Sequence, residues 1–363
     1  MFVYASDLHL SLITWRSLPE VREDSLISFE QLLEICNVYS KEQKGSVPLV
    51  LGGDVFDSVK MTPELLIESM EVRDKYPDVP IYYINGNHDS IEPSWCSFWQ
   101  NTYHLGAQPF TFPGGEIVCG IDFKLAEEFP DALSKVYPGC DYLVIHQTLS
   151  ALSNNLPGSL DCAELGLFRC VLAGDYHKFV CSEPFYSSGS TNRRSIAEEG
   201  GKAFVIEDHH LHEFSLLNRP LVIVDVDSDV NDAVLSINVR KGQDFMKFID
   251  KFDVKYKDPW EHYWYLQPLM KGIIVVRGNI DSDVKEYWTQ EVDDRAYLLF
   301  VPEVKSKEEI IIDGATVAAA RSSKAYLLSM LENYPCSPEA KRMVQDYLAS
   351  PDKLLDNVRE KLS

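Results

Sequence analysis

The sequence lacks most of what would place it outside ordinary globular chemistry. No apolar run approaches the ~18 residues of a membrane span. The opening residues, Met-Phe-Val-Tyr-Ala-Ser-Asp-Leu-His-Leu, hold no basic stretch followed by an apolar one, so they do not read as a secretory signal. There is no internal repeat and no low-complexity segment, which excludes collagen-like, coiled-coil and disordered chains. Cysteine is sparse, eight in 363 residues, and no two stand in a Cys-x-x-Cys pair. Neither a zinc knuckle nor a thioredoxin-type redox site is therefore indicated, and scattered thiols without an export signal fit a reducing cytoplasm. Positive charge is also short: 34 Lys and Arg against 56 Asp and Glu leave a net charge of −22. Such a chain repels polyanions on average. Any contact with nucleic acid must rest on a local site, on bound cations or on a partner chain, because the usual basic footprint is missing.

What is present is a globular balance, 45% apolar and 25% charged, over a length that suggests roughly two domains at about 150 residues each. Short Val/Ile/Leu/Tyr-rich runs at residues 1–6, 47–52, 79–84, 142–145 and 169–173 are bounded by Gly, Pro or Asp and read as buried strands. Residues 23–38 and 62–75 read as helices. Thr62-Pro63-Glu64 supplies a cap residue, a proline at the first position and an acid in the first turn. Buried strands alternating with helices predict a layered α/β domain. Strands at 201–207 and 211–217 follow so closely that they read as antiparallel. Arg219-Pro220 marks a boundary. Beyond it, strands at 221–226, 272–276 and 296–301 with helices at 245–252 and 284–292 predict a smaller α/β domain. Ser337-Pro338-Glu339 and Ser350-Pro351-Asp352 start one or two short amphipathic helices, which either pack on the chain's own core or dock a partner.

The chemistry lies at the strand ends. After the first run comes Asp7-Leu8-His9, after the second Gly52-Gly53-Asp54-Val55-Phe56-Asp57, after the third Gly86-Asn87-His88-Asp89, after the fourth His146 and after the fifth Gly174-Asp175-Tyr176-His177. In open α/β sheets ligands bind beyond the carboxyl ends of the strands, so these groups converge on one rim. Asp7, Asp54 and Asp175 offer carboxylates, His9, His146 and His177 imidazoles, and Asn87 an amide oxygen. Seven mixed O/N donors exceed one tetrahedral site and suit two divalent cations sharing a carboxylate. Without thiolate they favour manganese, iron or zinc over a structural zinc. Two such cations clamp the attacking and leaving oxygens of a phosphoryl displacement. Each fragment alone is a weak signal. All five in order, holding four of the nine histidines, are a strong one. His209, His210 and His212 sit at a hairpin-like turn without a matched acid and read as surface residues.

The order D-x-H, G-G-D, G-N-H-D, H, G-x-x-H resembles the calcineurin-like metallophosphoesterase superfamily. The early Asp7-Leu8-His9-Leu10-Ser11, the long Gly52–Asp57 motif and the later Ser188-Gly189-Ser190-Thr191-Asn192-Arg193-Arg194-Ser195 resemble SbcD-type nucleases, the relatives of the Mre nuclease subunit. The resemblance covers about residues 7–195. It implies a four-layer α/β metallophosphoesterase sandwich at 1–218, a small α/β capping domain at 219–304, and C-terminal helices at 305–363 that bind an SMC-like ATPase of the SbcC type. It implies a DNA exonuclease or endonuclease in which hydroxide activated by two metals cleaves a phosphodiester, acting in an SbcCD-like repair and recombination complex, with a homodimer formed through the phosphoesterase domain. It assigns Asp7, His9 and His177 to one metal, Asn87, His146 and Asp175 to the other, and Asp54 to the bridge.

In the same pattern His88 is the acid toward the leaving oxygen, which suits a side chain titrating near working pH. Asp89 is expected to orient His88. Asp57 either orients a ligand or caps the following turn, the turn being favoured. Arg193 and Arg194 are candidate phosphate contacts. The family's last motif commonly reads G-H-x-H. The carboxylate of Asp175 in that place shifts the expected metal toward Mn2+, with Mg2+ as the other candidate. The second reading of the same core is a phosphatase or phosphodiesterase acting on a small molecule or a phosphoprotein. A non-catalytic scaffold should have lost donors or His88, and all are present.

Overall fold

The computed structural model describes residues 1–302 apart from 154–155, 157–158, 162 and 251–262. The expected C-terminal helices at 305–363 lie outside the described residues. All elements named below fall in one compact unit, Met1–Asn155 with Leu160–Glu309.

Two six-stranded sheets face each other. The first runs β12 (His210–Ser215), β11 (Lys202–Glu207), β1 (Phe2–Ala5), β2 (Leu49–Gly52), β3 (Ile81–Ile84) and β4 (Thr102–His104). From β1 to β4 neighbours are parallel, and β11 and β12 close the edge antiparallel. The second runs β5 (Phe110–Thr111), β6 (Ile117–Ile121), β7 (Tyr142–His146), β8 (Cys170–Gly174), β10 (Phe185–Ser187) and β9 (Val180–Ser182), parallel from β6 through β10. Strand alternation separates two cores. Phe2, Tyr4, Val50 and Ile84 meet Tyr142, Val144, Cys170 and Leu172 between the sheets. Val3, Ala5, Leu49, Leu51 and Ile81 face the other way, against helices α1 (Asp24–Gln43) and α2 (Pro63–Asp74). On the far side of the second sheet the described helices are short, α3 (Phe129–Leu133) and α4 (Ser150–Ser153).

Helix α2 starts as its sequence predicts: the Thr62 hydroxyl accepts from Leu65 N–H and Pro63 occupies the first turn. Helix α1 is buried around nearly its whole circumference, because the short 3₁₀ segment Trp264–Met270 packs on it as well as the sheet. The core cluster accordingly joins Phe29, Leu32 and Leu33 to Phe245, Tyr263 and Leu266. Each such side chain contributes about 1.5–3 kcal/mol by leaving water.

A third sheet follows, β13 (Leu221–Asp225), β14 (Ile273–Gly278) and β15 (Tyr297–Pro302), all parallel. Helices α5 (Val230–Asp250) and α6 (Ser282–Val292) cover one face through Val234, Ile237, Trp288 and Val292. Its other face, Leu221, Ile273 and Val275, rests on Trp15, Leu18 and Val21, from the loop that follows His9. Arg219, expected only as a boundary residue, is a buried bracket. Its Nε donates to Asp24 at 2.9 Å, and its Nη1 donates to the carbonyls of Pro268 and Lys271 at 2.7 and 2.6 Å. Both partners of the ion pair are 3% exposed, so removing either one would strand a buried charge at a cost of about 3–5 kcal/mol.

Candidate metal centre

The five expected loops leave the carboxyl ends of β1, β2, β3, β7 and β8 and meet at one edge of the sandwich. Backbone strain concentrates there. Asp7, His9, Asp54 and Asp175 all sit in the left-handed region, at φ of 55°, 47°, 48° and 73°, a conformation that costs a residue with a β-carbon about 1–2 kcal/mol. Such outliers persist where the surroundings over-determine them, often at functional sites. The glycines make room for the polar groups. A β-carbon on Gly53, itself at φ +89°, would collide with the His146 ring, and one on Gly86 would collide with the Asp54 carboxylate.

The four motif histidines are held in one manner. His146 Nδ1 lies 2.8 Å from the Gly52 carbonyl, and His88 Nδ1 lies 2.9 Å from the Asp57 carbonyl. His9 Nδ1 faces Asp57 Oδ1 at 3.2 Å, and His177 Nδ1 faces Glu198 Oε1 at 3.7 Å. All four partners are acceptors, so each Nδ1 carries a hydrogen and each Nε2 is the ring atom turned toward the site. The Nε2 atoms of His9 and His177 then face each other at 3.3 Å, with Asp7 Oδ1 3.6 Å from His177. Asp7 Oδ2 is buried without a hydrogen-bond partner. Two imidazole nitrogens turned toward each other beside a buried carboxylate oxygen without a partner form a donor set that fits a divalent ion, which would displace any proton held on the Nε2 atoms. Asp54 reaches both halves of the site: one oxygen is 3.6 Å from His9 Nε2, the other 3.4 Å from His146 Nε2. Asn87 Oδ1 lies 3.1 Å from His146 Nε2. Three groups gather closely enough to hold an ion: Asp7, His9 and His177; Asp7, Asp54 and His146; and His9, Asp57 and His88.

Electrostatics divide the histidines. Burial, then the charge of Arg194, lowers His9 to about 4, so it stays neutral. Burial would lower His146 too, but the Asp54, Asp7 and Asp175 carboxylates outweigh it and hold the ring well above its ordinary value. His177 is likewise raised, Glu198 and Asp7 overcoming its burial. Asp54 is pulled the opposite way: burial opposes ionisation, and His146 and His9 more than compensate, keeping the carboxylate charged.

Asp175 stands apart. It belongs to none of the three groups. Its Oδ2 accepts from the Thr148 N–H at 2.9 Å and from the Thr148 hydroxyl at 2.6 Å, leaving one oxygen uncommitted. Asp89 does not touch His88. Its buried carboxylate accepts from Val55 N–H at 2.6 Å, Phe56 N–H at 3.2 Å and Gly86 N–H at 2.6 Å, and so ties the Asp54 loop to the Asn87 loop. Burial and the neighbouring Asp54 charge push Asp89 up to about 6. The His88 N–H adds a second tie, donating to Asp54 Oδ1 at 2.8 Å.

Asp57 orients a site histidine rather than only capping a turn. Adjacent arginines diverge from the expected phosphate contacts. Arg194 Nη1 donates to Asp57 at 2.8 Å, and its Nε lies 4.0 Å from Glu198, so it spans the two acids behind His9 and His177. Arg193 leaves the rim, donating to the carbonyls of Glu198 at 3.0 Å and Arg219 at 3.4 Å.

Sequence reasoning missed Glu198, which follows no strand and belongs to no motif; its only signal is its place four residues after Arg194. The Ser188–Asn192 stretch proves to be a buttress. Ser6 N–H donates to the Ser188 hydroxyl at 3.0 Å, and Asn192 Nδ2 donates to the Leu8 carbonyl at 2.8 Å, which fixes the Asp7–His9 loop from below. His209 stacks on Tyr142 and bonds its hydroxyl at 3.0 Å, on the β11–β12 turn.

Residues 1–150 match the calcineurin-like phosphoesterase family. The chain therefore carries a calcineurin-like phosphoesterase domain, a class of domain that uses divalent metals. It is 28% identical over 236 residues to the DNA double-strand break repair protein Mre11 of Methanosarcina acetivorans, across 56% of this chain and 36% of that protein. It is 29% identical over 234 residues to the protein of the same name from Methanosarcina mazei, across 56% and 35%. The matched stretch thus spans about a third of the length of these curated relatives. Among solved structures, TT1561 of Thermus thermophilus has a TM-score of 0.40 and 11% identity over 59% of this chain and 97% of that one, a likeness too low to define the fold. No helix among the described residues is long and apolar enough to cross a membrane.

Proposed function

We propose that this chain is a metal-dependent DNA nuclease, the nuclease subunit of an SbcCD-like repair and recombination complex in the cytoplasm. The observation that carries the catalytic part is the pair of Nε2 atoms of His9 and His177, 3.3 Å apart beside a buried, unpartnered Asp7 oxygen. The DNA part is supported by the relatives, each named as a DNA double-strand break repair protein. On this reading 1–218 is the nuclease domain, 219–304 the capping domain and 305–363 the ATPase-binding segment.

Asp7, His9 and His177 would hold one cation, and Asn87, His146 and the free oxygen of Asp175 the other, with Asp54 serving both. Bound there, two divalent ions supply Lewis-acid polarisation of the phosphate and a lowered pKa for attacking water. Oxygen-rich ligation through Asp175 favours Mn2+, then Mg2+. His88 supplies the proton to the leaving oxygen. Its ring lies 5.1 Å from that of His9, its side chain is 29% exposed, and Nδ1 is fixed on Asp57, leaving Nε2 for the substrate. Asp57 and Glu198 hold the rings of His9 and His177, and Arg194 holds both acids.

The net charge of −22 favours the second reading, hydrolysis of a small phosphoester. The experiment is cleavage of linear double-stranded and single-stranded DNA in Mn2+, beside bis-p-nitrophenyl phosphate, with His88→Ala as control. Loss of a general acid costs about 10²–10⁴-fold in rate. DNA cleavage that disappears in the variant supports the nuclease. Hydrolysis of the small ester with DNA intact, unchanged after a candidate ATPase subunit and ATP are added, overturns it in favour of the second reading.

A further inference from the structure

Basic residues also gather among the described residues outside the metal rim. A cavity of about 520 Å³ opens between the β11–β12 hairpin and helix α5. Five of its fifteen lining residues are Lys or Arg, against 34 in 363 for the chain. Two of the five are spent elsewhere: Arg219 on Asp24, and Lys202 on Glu213 at 2.9 Å. Arg240 is shared, with Nε 3.7 Å from Asp244 and Nη1 donating to the Leu221 carbonyl at 2.9 Å.

Arg193 and Lys247 pair with no carboxylate among the described residues, and Arg193 bonds only carbonyls through Nε and Nη1. Its half-buried guanidinium faces the charge of Arg240, which, after burial, lowers its pKa. Glu199 is the other acid on the wall. Opposite the cations the lining is apolar, with Leu216, Pro220 and Phe248. At Gly200 an added β-carbon would meet nothing, so that wall is open.

The geometry points to a second ligand site here, for a phosphate group carried on a nucleotide-sized body, with Arg193, Arg240 and Lys247 as its cationic side. Arg193, Arg240 and Lys247 outnumber the two acids of the lining, Asp244 and Glu199, and an anion would relieve the excess; phosphate takes guanidinium forks in particular. The volume lies in the range of about 300–1,000 Å³ that small-ligand pockets occupy. Arg193 and Arg194 are consecutive, yet one serves this cavity and the other the metal rim. One backbone segment therefore borders both the cavity and the metal rim. The inference does not depend on the nuclease reading, because the site needs neither metal nor His88.

The test uses the full chain in EDTA, so that no cation at the rim can recruit phosphate. Adenosine 5′-monophosphate and adenosine are titrated by calorimetry against the parent, Lys247→Gln, the double variant Arg240→Gln/Lys247→Gln, and Lys285→Gln on α6 as a charge control. The nucleotide is expected to bind and adenosine not. Losing the two charge-assisted contacts should weaken binding at least about tenfold, while Lys285→Gln matches the parent.

Lys247 is exposed and makes no contact that the fold needs, so its single variant keeps the test valid if the double variant misfolds. A 5′-phosphorylated tetranucleotide that competes with the nucleotide, where its unphosphorylated form does not, identifies a strand end as the source of the phosphate. Absence of competition identifies the free nucleotide. Equal affinity for nucleotide and adenosine, or an affinity untouched by both the single and the double variant, overturns the proposal.

Discussion

Replacing Asp89 by alanine separates two accounts of the Gly86–Asp89 motif. The sequence suggests an acid that orients the neighbouring histidine. The structure gives it three backbone N–H donors, from Val55, Phe56 and Gly86, and no contact with His88. Asp89 is 2% exposed, so removing its carboxylate strands three donors in a dry place. Each orphaned buried donor costs about 1–3 kcal/mol. Water entering the vacated space holds the total near the low end, about 3–5 kcal/mol. At about 2–4 °C per kcal/mol for a domain of this size, the melting temperature should fall by roughly 10 °C. Asp89→Asn keeps the shape and one acceptor oxygen but turns an NH2 group toward a donor, and should lose about half as much. Because the same carboxylate joins the loops of Asp54 and Asn87, Mn2+ affinity should fall along with stability. Thermal unfolding and calorimetric Mn2+ titration read the two effects. Parent-like stability and Mn2+ affinity in Asp89→Ala, with only turnover reduced, would refute the staple and restore the orienting role.

Two further outcomes follow from the same geometry. Asp57→Ala removes the acceptor facing His9 Nδ1 at 3.2 Å and frees the Arg194 charge beside that ring; Mn2+ affinity should drop about 10–100-fold, and an unchanged titration would show that His9 is fixed by its backbone alone. Metal binding should also release protons. Carboxylates raise His146 and His177 above the ordinary imidazole value, so both hold protons near neutral pH that a cation must displace. Apparent Mn2+ affinity therefore rises with pH above about 6.5. Calorimetry in two buffers of different ionisation enthalpy measures the release, and equal heats with a flat pH profile would contradict it.

Local sequence was enough to name the candidate residues that the fold brings to one rim. Each ligand candidate follows a short buried strand, and a run of Val, Ile and Leu that ends in Gly, Asp or His is a local signal. It depends on period and composition, so Asp7, His9, Asp54, Asn87, His146 and His177 were legible without coordinates. The cap of α2 and the strands of the third sheet were legible for the same reason. Strands β4, β5, β6, β9 and β10 were not, being short or edge segments stabilised by their neighbours more than by their own pattern.

What holds those residues in place is a property of the packed fold. Glu198 reaches His177, Asp89 ties its own loop to one 34 and 33 residues back in the chain, and the Ser188–Asn192 stretch supports a loop 182 residues away. Such pairings are set by how the sheets pack, and no short window of sequence contains both partners. The two arginines show the same limit. Adjacent in sequence and equal in charge, they read as having one role; the fold sends Arg194 to the acids behind the metal rim and Arg193 to the lining of a separate cavity, because neighbouring side chains leave an irregular segment in different directions and meet different surroundings.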